Sequence, residues 1–412
     1  GSVEMVLKDR GIDVPLSVVR GDGSLVNSEW AKAHPIETIV SGPAASAVGA
    51  AYLGRASGLG RGSWVVDIGG TTTDIIYLDP DGNPAISAQG ASVGRHKTLI
   101  RAIDIFTIGL GGDSRVVYDR KEDYFEIGPG RVKPLCSALS ENPDLSNSIN
   151  SYRKSSEPKE PLVIIKNRTR SLDGDFESML NEGIDKGLLS RDALSEAGYI
   201  SRISYSRLEE MQKAGLLDFA GFTPTDALHV LKKFDRWDTQ GSIMGADMLS
   251  GSKFSTETVA QSVYGKFIAL VALNIFKKSM MLNRLGSYIT GDVKKLFIKI
   301  LSDDMQKVPS LKFKIDSEII GIGAPAWAFI KEVAGLLGEE GRIPVNAEVA
   351  GAVGAAVSSF AMKYSVWISP MKDGIFRAHL PMGVCDFEDL ETAVDSSERF
   401  MAPWICERAK KT

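Results

Sequence analysis

The residues whose types and spacing are best suited to chemistry form the string Asp67-Ile-Gly-Gly-Thr-Thr-Thr-Asp74. Its two glycines, Gly69 and Gly70, permit backbone conformations closed to other residues and let the main chain approach a ligand closely. Several backbone N–H groups at such a turn can point at one anion. Hydroxyl donors follow at Thr71, Thr72 and Thr73. The string therefore predicts a phosphate-binding turn made of these glycines and threonines.

Two carboxylates flank this turn, those of Asp67 and Asp74. Because a carboxylate repels a bare phosphate, we predict that both hold Mg²⁺, often through water, or orient an attacking water. They are thus the candidate catalytic and metal-binding residues. The alternative is an ordinary β-hairpin with a glycine turn and threonines chosen for strand propensity. The density of glycine, threonine and aspartate in this short string favours the phosphate-binding interpretation.

Short strands are expected to position the turn. Residues 63–67 form an apolar strand and residues 71–78 the return strand, which together predict a β-hairpin. A further strand at residues 103–108 leads into a tight glycine loop at residues 109–114, and a strand at residues 115–118 follows. The loop contains Gly111, Gly112, Asp113 and Ser114.

The rest of the chain is predicted to mix α and β structure. Other expected strands cover residues 15–20, 295–300 and 319–323, and expected helices cover residues 44–53, 325–337 and 346–364, with helices also from residue 3 and from residue 387. An exposed loop is predicted at residues 142–160 from their polar composition, and a helical region at residues 175–285 from apolar spacing. The predicted domains are residues 1–140, 141–290 and 291–412.

Composition and charge exclude several classes of protein. The 412 residues carry a formal net charge of −4, so neither nucleic acid nor a membrane surface is expected as a partner. The three cysteines are far apart and there are four histidines, which argues against a disulfide framework or a zinc site. The most apolar run, residues 267–276, is shorter than the ~20 residues that span a bilayer. We therefore expect a buried core helix there and a cytoplasmic protein.

Two common nucleotide-binding folds are excluded as well. The Walker pattern GxxxxGK[ST] is absent from the sequence, which argues against a P-loop ATPase. In the dinucleotide-binding fingerprint the glycines join a strand to a helix, whereas here they join two strands.

Family resemblance adds to this chemistry. The string at residues 67–74 is similar to the second phosphate motif of the superfamily of actin, hexokinase, sugar kinases and heat-shock chaperones. Two segments resemble the hydantoinase A and ATP-dependent 5-oxoprolinase family: Pro35-Ile-Glu-Thr-Ile-Val-Ser-Gly-Pro-Ala-Ala45 and Ile103-Asp-Ile-Phe-Thr-Ile-Gly-Leu-Gly-Gly-Asp-Ser114. The second departs from the family at Asp113, where a third glycine is usual. The resemblance implies that Gly111, Gly112, Asp113 and Ser114 lie near the phosphates or the substrate, and the departure adds a negative charge there.

A later segment resembles the family less specifically. Thr223-Pro-Thr-Asp-Ala-Leu-His229 is similar to the T-V-T-D-A segment of the family. Capping of a helix by Thr223 or Thr225, with proline in the first turn, explains these residues by itself and is the favoured interpretation.

The adenosine side of the site is expected near the C-terminal part of the chain. Gly321-Ile-Gly-Ala-Pro-Ala326 stands where the adenosine motif of the superfamily is expected, with a departure at Ala324-Pro325. The resemblance therefore implies that adenosine lies beside Gly321, Gly323 and Ala324. A helix beginning at Pro325 is expected to point its N-terminus at the ligand. Residues 344–356 resemble the next family segment, and their Gly and Ala residues are expected to serve close helix packing.

The resemblance implies an α/β fold of the actin-like ATPase (ribonuclease H-like) type with a helical insertion. Family members also carry an earlier domain with a first phosphate motif, D-x-G-G-T-x-T-D, and no copy of it precedes Asp67. The residues Gly1-Ser2 are typical of an expression remnant. We therefore expect the N-terminal nucleotide-binding half to be missing.

The resemblance also implies an activity that uses ATP and Mg²⁺. This activity is hydrolysis of a cyclic amide, of the hydantoin or 5-oxoproline type, through phosphorylation of the amide oxygen. Similar subunits occur in ATP-dependent ketone carboxylases, and actin-like ATPases also act as chaperones or reactivating factors, so both alternatives stay open. The implied partners are a small molecule with a lactam or hydantoin ring and a second subunit or the missing domain.

Overall fold

A computed structural model describes residues 2–55, 62–87, 90–93, 96–152, 163–166, 178, 180, 182, 198, 204–251, 253–288, 291–293, 297, 313–361 and 364–409. The chain divides into two compact units, each assembled from segments that are distant in sequence. Unit 1 comprises residues 1–52, 84–104 and 350–412, and unit 2 comprises residues 53–83 and 105–349. This division differs from the three consecutive segments expected from sequence. All the predicted site residues lie in unit 2.

The described residues form short strands and helices. The strands are β1 (Ser17–Val19), β2 (Leu25–Asn27), β3 (Ser63–Ile68), β4 (Thr73–Leu78), β5 (Ile86–Ser87), β6 (Ser92–Val93), β7 (His96–Lys97), β8 (Ala102–Ile103), β9 (Ile105–Ile108), β10 (Ser114–Asp119), β11 (Tyr124–Arg131), β12 (Lys133–Pro134), β13 (Val163–Lys166), β14 (Leu217–Gly221), β15 (Glu318–Ile322), β16 (Gly341–Arg342), β17 (Trp367–Pro370), β18 (Phe376–Leu380) and β19 (Gly383–Phe387). The α-helices are α1 (Ser2–Asp9), α2 (Ser28–Ala33), α3 (Ser41–Arg55), α4 (Leu135–Glu141), α5 (Leu145–Tyr152), α6 (Ser204–Lys213), α7 (Pro224–Val230), α8 (Thr239–Ser250), α9 (Thr256–Leu282), α10 (Ile330–Leu336), α11 (Ala350–Val357) and α12 (Leu390–Ala409).

A mixed five-stranded sheet forms the centre of unit 2, in the order β16-β15-β3-β4-β9. Strand β15 is parallel to β16 and β3, while the pairs β3–β4 and β4–β9 are antiparallel. Five of the six residues are buried in β3 and again in β4. Strands covered on both faces need such nearly continuous burial. The hairpin predicted around the glycine turn is confirmed.

The longest helix, α9, lies in the hydrophobic core of unit 2. Ser255 caps its start by accepting a hydrogen bond from Thr258 N. Its Phe267 ring packs against Phe329 with centroids 4.3 Å apart. By length and composition alone α9 qualifies to cross a membrane, but 61% of its apolar window is buried within the fold, and the core helix of a soluble protein passes the same test. The core helix predicted at residues 267–276 is confirmed.

Two sequence predictions in unit 2 are confirmed in part and wrong in part. Part of the loop predicted at residues 142–160 is helix α5, whose Leu145 and Ile149 are buried, while residues 153–160 lie outside the described residues. The region predicted as helical, residues 175–285, contains helices α6 to α9 as predicted, but it also contains strand β14, which pairs in parallel with β12 and antiparallel with β13. Residues 183–197 of that region also lie outside the described ones.

Three further elements differ from expectation. The predicted strand at residues 103–108 is two strands in different sheets, β8 and β9, separated at Asp104. The helix predicted from Pro325 is a single 3-10 turn, Ala326–Ala328, and α10 begins only at Ile330 because Phe329 leaves the helical conformation at φ −127°. Of the strand predicted at residues 295–300, only Phe297 is described, and its backbone is helical.

Unit 1 contains a three-stranded antiparallel sheet, β17-β18-β19, and three two-stranded sheets, β1-β2, β5-β8 and β6-β7. Helix α12, predicted from the sequence, packs on β18 and β19 and buries Ala393 and Met401. The sheet itself was not predicted, because most residues of β17 and β19 are exposed and give no apolar alternation.

Backbone-to-backbone contact joins α3 and α11 within unit 1. A Cβ added at Gly49 would lie 1.9 Å from Ala350 O, and one added at Gly354 would lie 1.8 Å from Ala45 O. No side chain fits at either glycine, because non-bonded atoms do not approach so closely. The close packing predicted for these small-residue helices is confirmed.

Candidate phosphate-binding site

The two flanking aspartates lie opposite each other at one end of the central sheet. Asp67 near the end of β3 pairs with Asp74 near the start of β4, and Asp74 pairs in turn with Thr107 on β9. Residues directly opposite on antiparallel strands project to the same face. The side chains therefore form one row, in which Thr107 Oγ1 donates a hydrogen bond of 2.5 Å to Asp74 Oδ1.

The turn between the aspartates, residues 69–72, is called here the first glycine turn. The Gly69 N–H closes it by donating to Thr72 O at 2.9 Å. Within the described part of the chain, the N–H groups of Gly70, Thr71 and Thr72 have no protein acceptor. Thr71 is exposed and the other two are half-buried. Three successive N–H groups without protein acceptors make an anion-binding concavity.

The three threonines of the motif do not act together. Thr73 is fully buried and its hydroxyl donates to Leu110 O at 2.7 Å. Its side chain thus ties the hairpin to the loop at residues 109–114 and offers no donor to a ligand. Only the hydroxyls of Thr71 and Thr72 remain at the first glycine turn. The prediction that Thr73 contributes a ligand-binding hydroxyl is not supported by this geometry.

The loop at residues 109–114, called here the second glycine turn, braces the first. Gly112 N donates to Gly69 O at 3.0 Å, and Asp113 N donates to Gly70 O at 2.8 Å. Gly111 N donates to Ser114 Oγ, and Ser114 N donates to Gly111 O. These four backbone N–H groups are therefore engaged within the protein. Their role in this geometry is to hold the first turn in place, and direct contact with phosphate stays a prediction.

The two turns touch through their main chains. A Cβ added at Gly111 would lie 2.5 Å from the carbonyl carbon and oxygen of Gly70. Any residue other than glycine at position 111 would therefore push the first turn out of position.

Asp113 places a third carboxylate beside the first glycine turn. A Cβ added at Gly70 would lie 2.7 Å from Asp113 Oδ2. The same oxygen accepts a charge-assisted hydrogen bond of 3.1 Å from Nη2 of Arg131. Burial raises the pKa of the Asp113 carboxyl, and the charge and hydrogen bond of Arg131 oppose that rise.

The electrostatics of the aspartate pair favour a cation. Burial raises the pKa of the Asp74 carboxyl, the hydrogen bond from Thr107 opposes the rise, and the negative charge of Asp67 adds to it. A positive ion between the two carboxylates would relieve this repulsion. The described residues contain no cluster of three or more His, Cys, Asp or Glu side chains suited to a metal. Mg²⁺ needs no such cluster, since one or two carboxylates with waters and phosphate oxygens complete its shell.

Of the predicted adenosine-side residues, Gly323 lies closest to the aspartates. It has a φ of +90°, and a Cβ there would lie 2.3 Å from Ile68 O and 2.7 Å from Asp67 Oδ1. Ala324, next in the chain, is exposed. Gly321 lies elsewhere, buried in β15, where a Cβ would meet the Ile330 side chain at 2.3 Å. Gly321 has a packing role, and its contact with adenosine stays a prediction.

The Thr223–His229 segment holds the second glycine turn through hydrogen bonds. Thr225 donates to Gly112 O from its backbone N at 3.0 Å and from Oγ1 at 2.8 Å. Thr223 caps α7 in a reciprocal capping box with Asp226, as the capping interpretation predicts. A chain of hydrogen bonds therefore runs from α7 through Gly112 to Gly69.

Asp226 holds this support together. Its carboxylate is wholly buried and accepts five hydrogen bonds of 2.8–3.1 Å. The donors are Leu135 N, Cys136 N, Thr223 N, Thr223 Oγ1 and Ser242 Oγ. Burial raises its pKa and these donors oppose the rise. The residue joins the starts of α4, α7 and the first turn of α8.

His229 belongs to the same structural region. It is 1% exposed, its Nδ1 lies 2.9 Å from Thr225 O, and its Nε2 accepts from Trp237 N at 3.2 Å. Both ring nitrogens are thus occupied, which leaves none for proton transfer to a substrate.

Sequence reasoning missed three residues of this site: Thr107, Arg131 and the positioning role of Thr225. A signal existed for Thr107, which stands in the T-I-G segment and on the strand that follows the hairpin. No sequence signal existed for Arg131, because it reaches Asp113 only through the pairing of β10 with β11.

Comparison with known proteins supports the family resemblance over part of the chain. Residues 1–136 match the sequence model of the family described as hydantoinase/oxoprolinase, and this stretch contains both glycine turns. The resemblance stated from the sequence is confirmed there. No curated protein matches the sequence.

Two solved structures are similar to the chain. One is an acetone carboxylase in a nucleotide-free state, from work on ATP-dependent acetone carboxylation, with 17% identity, a TM-score of 0.51, and coverage of 90% of this chain and 39% of that chain. The other is an ATP-dependent caprolactamase from Pseudomonas jessenii, with 16% identity, a TM-score of 0.43, and coverage of 87% and 38%. The chain thus spans well under half the length of either. The acetone carboxylase likeness is one of fold, and the predicted α/β class is confirmed.

Proposed function

We propose that the chain binds Mg·ATP at the first glycine turn, within an actin-like ATPase fold, and serves an enzyme that phosphorylates the amide oxygen of a cyclic amide. The observation that carries the proposal is a set of three N–H groups, at Gly70, Thr71 and Thr72, between Asp67 and Asp74. They have no acceptor among the residues that the structure describes. The family match over residues 1–136 supports it, since that family is described by hydantoinase and oxoprolinase activities.

The proposed chemistry makes an amide reactive toward water. The amide oxygen attacks the γ-phosphorus of ATP, and ADP leaves. Water adds to the activated carbon, the ring C–N bond breaks, and the nitrogen takes a proton. A second water then releases phosphate from the acyl group. The protein contributes positioning and charge stabilisation of the transferred phosphoryl group, with N–H groups and hydroxyls of residues 70–72 as its donors.

Mg²⁺ fits the residues at this end of the sheet. Asp67 and Asp74 would hold it, directly or through water, and the ion would neutralise charge on the phosphoryl group. Gly323 and Ala324 would border the adenosine, because Gly323 lies against the Asp67 side chain. The second glycine turn and Thr225 would keep the donors in place.

A ketone carboxylase subunit is the second candidate. The acetone carboxylase likeness covers 90% of this chain and favours it. The two activities share the phosphorylation of a carbonyl-derived oxygen, so the same turn would serve both. Under either candidate a second subunit or domain would complete the enzyme. For a chaperone-like ATPase, the described part of the chain offers no supporting observation of its own.

Calorimetric titration of Mg·ATP tests nucleotide binding. The parent should bind, and Asp67→Ala should weaken binding at least tenfold through loss of the Mg²⁺ ligand. Asp81→Asn, in the turn at the other end of the same hairpin, is the matched control for removing one negative charge and should bind like the parent. A parent that does not bind Mg·ATP would overturn the proposal, as would an unchanged Asp67→Ala variant.

Product formation separates the candidate chemistries. ADP release would be followed with 5-oxoproline, hydantoin, or acetone plus bicarbonate as the added substrate. Stimulation by a ring amide supports hydrolysis, and stimulation by ketone and bicarbonate supports carboxylation. Stimulation by neither, in a preparation that binds Mg·ATP, would reject the carbonyl-phosphorylation proposal for this chain.

A further inference from the structure

We propose that Arg131 is a positioning residue for phosphate recognition: by neutralising Asp113 it makes the first glycine turn competent to hold a phosphate. The inference rests on the proposed function, in which this turn binds the phosphates of Mg·ATP. It assigns a role to a residue that belongs to none of the sequence motifs discussed above, and it explains how the chain tolerates an aspartate at position 113.

The first step is the place of the Asp113 carboxylate. Its Oδ2 would lie only 2.7 Å from a Cβ built on Gly70, so it borders the backbone that carries the donors of residues 70–72. The side chain is only 21% exposed, so solvent screens its charge poorly. A phosphate bound at the first glycine turn would meet this carboxylate as a close like charge.

The second step is that the neighbouring carboxylates cannot offset this charge. Asp67 and Asp74 stand near the ends of the flanking strands, and neither side chain can supply a positive charge. With Asp113 the turn has three carboxylates around it and one Mg²⁺ in the proposed complex. A cation supplied by the protein restores the balance that an anion-binding site needs.

The third step is that backbone pairing fixes Arg131 where this cation is required. Arg131 pairs with Ser114 in the β10–β11 ladder, beside a register shift between Ser114 and Val116. Val132 N donates to Asp113 O at 3.1 Å. Arg131 Nη2 then reaches Asp113 Oδ2 at 3.1 Å. The pair is thus set by the ladder on one side and by the second glycine turn on the other.

The ion pair with Asp113 is not expected to make Arg131 important for folding stability. Its side chain is 62% exposed, and exposed ion pairs contribute little to folding stability. Its effect on a ligand is different, because the paired Asp113 is shielded from solvent and lies beside the turn. We therefore expect loss of Arg131 to weaken anion binding far more than it lowers stability.

A double-mutant cycle with Mg·ATP as the probe tests this role by calorimetry. Arg131→Ala should weaken binding roughly 10- to 30-fold, because Asp113 is left as an uncompensated charge. Asp113→Gly should bind at least as tightly as the parent. The double variant Arg131→Ala with Asp113→Gly should return to within about threefold of the parent, which is the non-additivity expected of a coupled pair.

Arg120→Ala is the matched control, since Arg120 lies in the turn at the other end of the same β10–β11 hairpin. It removes the same charge and should leave binding within about twofold of the parent because surface charges beyond a Debye length are screened. Thermal midpoints of all variants within a few degrees of the parent would show that each is folded.

The outcomes separate the two proposals. A parent that does not bind Mg·ATP overturns the proposed function and this inference with it. A parent that binds, with Arg131→Ala unchanged or with Arg120→Ala equally weakened, overturns the role of Arg131 alone. A double variant as weak as Arg131→Ala also overturns it, because Arg131 would then act on the phosphate directly and not through Asp113.

Discussion

Asp74 and Asp226 each end a short threonine-rich string in unit 2, yet their surroundings differ in kind. Asp226 has no exposed surface, and five protein donors saturate its carboxylate. Asp74 is 8% exposed and, among the described residues, accepts one side-chain hydrogen bond, from Thr107. Thr107 is itself exposed. The protein thus uses the hydrogen-bonding capacity of Asp226, whereas Asp74 can still accept hydrogen bonds from a ligand or bind a cation.

The same contrast applies to the backbone around them. The N–H groups of Leu135, Cys136 and Thr223 donate to the Asp226 carboxylate. By contrast, three N–H groups beside Asp74 have no protein acceptor among the described residues. N–H groups that have no protein acceptor remain open to water or to a ligand. The comparison teaches that satisfaction by protein donors, more than burial, distinguishes the structural Asp226 from Asp74, the proposed cation ligand.

The largest test of this comparison is truncation of each aspartate. Asp226→Ala would leave five buried donors unsatisfied, and we expect a loss of roughly 3–5 kcal/mol in unfolding free energy, or on the order of 10 °C in Tm. Asp74→Ala removes one hydrogen bond and should cost about 1 kcal/mol or less. Thermal denaturation followed by circular dichroism measures both. Equal losses of unfolding free energy in the two variants would contradict the distinction between Asp226 and Asp74.

A substitution at Gly323 tests the backbone beside Asp67, on the side of the proposed ligand. Gly323→Ala places a methyl group 2.3 Å from Ile68 O and 2.7 Å from Asp67 Oδ1, at a φ of +90°. We expect a loss of about 2–3 kcal/mol and of Mg·ATP binding, because Asp67 must move. Gly335→Ala in α10 is the control, since nothing lies within 4 Å of its Cβ. It should stabilise the protein by roughly 0.5–1 kcal/mol.

The fold near the site was partly predictable because local rules and tertiary packing agree there. Apolar residues on both sides of Gly69 and Gly70 can only form a buried hairpin, and the structure confirms it. Thr73 shows what was overlooked. Adjacent residues of a strand project to opposite faces. Thr73 and Asp74 therefore cannot both face one ligand, and Thr73 faces Leu110 instead.

The rest of the site depended on contacts that no local pattern encodes. Arg131 reaches Asp113 only because β11 pairs with β10 across a register shift, which alters the face of each later residue. Asp226 meets Leu135 and Cys136, residues about ninety positions away in sequence. Likewise, the break of the helix expected from Pro325 follows from the conformation of Phe329, a core residue packed on α9.

A smaller effect is expected at Thr225, which links the two regions. Thr225→Val keeps the shape of the side chain but removes the Oγ1 hydrogen bond to Gly112 O, and we expect a cost of about 1 kcal/mol. Mg·ATP binding should weaken several-fold, because Gly112 positions Gly69. Thr225→Ser retains the hydroxyl and should restore binding. Should both variants bind alike, the hydrogen bond from α7 would have no part in positioning the turn.

The smallest effect concerns pH, and its sign follows from the pKa of Asp74. Burial and Asp67 raise that pKa in the folded protein above its ordinary value of 3.8. The unfolded chain therefore releases the proton at lower pH than the folded one. Asp74 favours folding fully below about 3.8 and loses this contribution as the pH rises through the folded pKa. Asp389 is the opposite case, because hydrogen bonds from Thr392 lower its pKa.

Stability of the parent relative to Asp74→Asn should accordingly decline as the pH rises above about 4, since the variant lacks the titrating group. The Asp389→Asn comparison should run the other way over low pH, with the parent losing its advantage as the pH falls. Urea denaturation at a series of pH values gives both differences. Added Mg²⁺ should flatten the Asp74 profile, because a bound cation stabilises the ionised carboxylate and lowers its pKa. A profile for Asp74 that rises with pH, without Mg²⁺, would mean that the folded protein lowers the pKa of this carboxyl, and it would contradict the prediction.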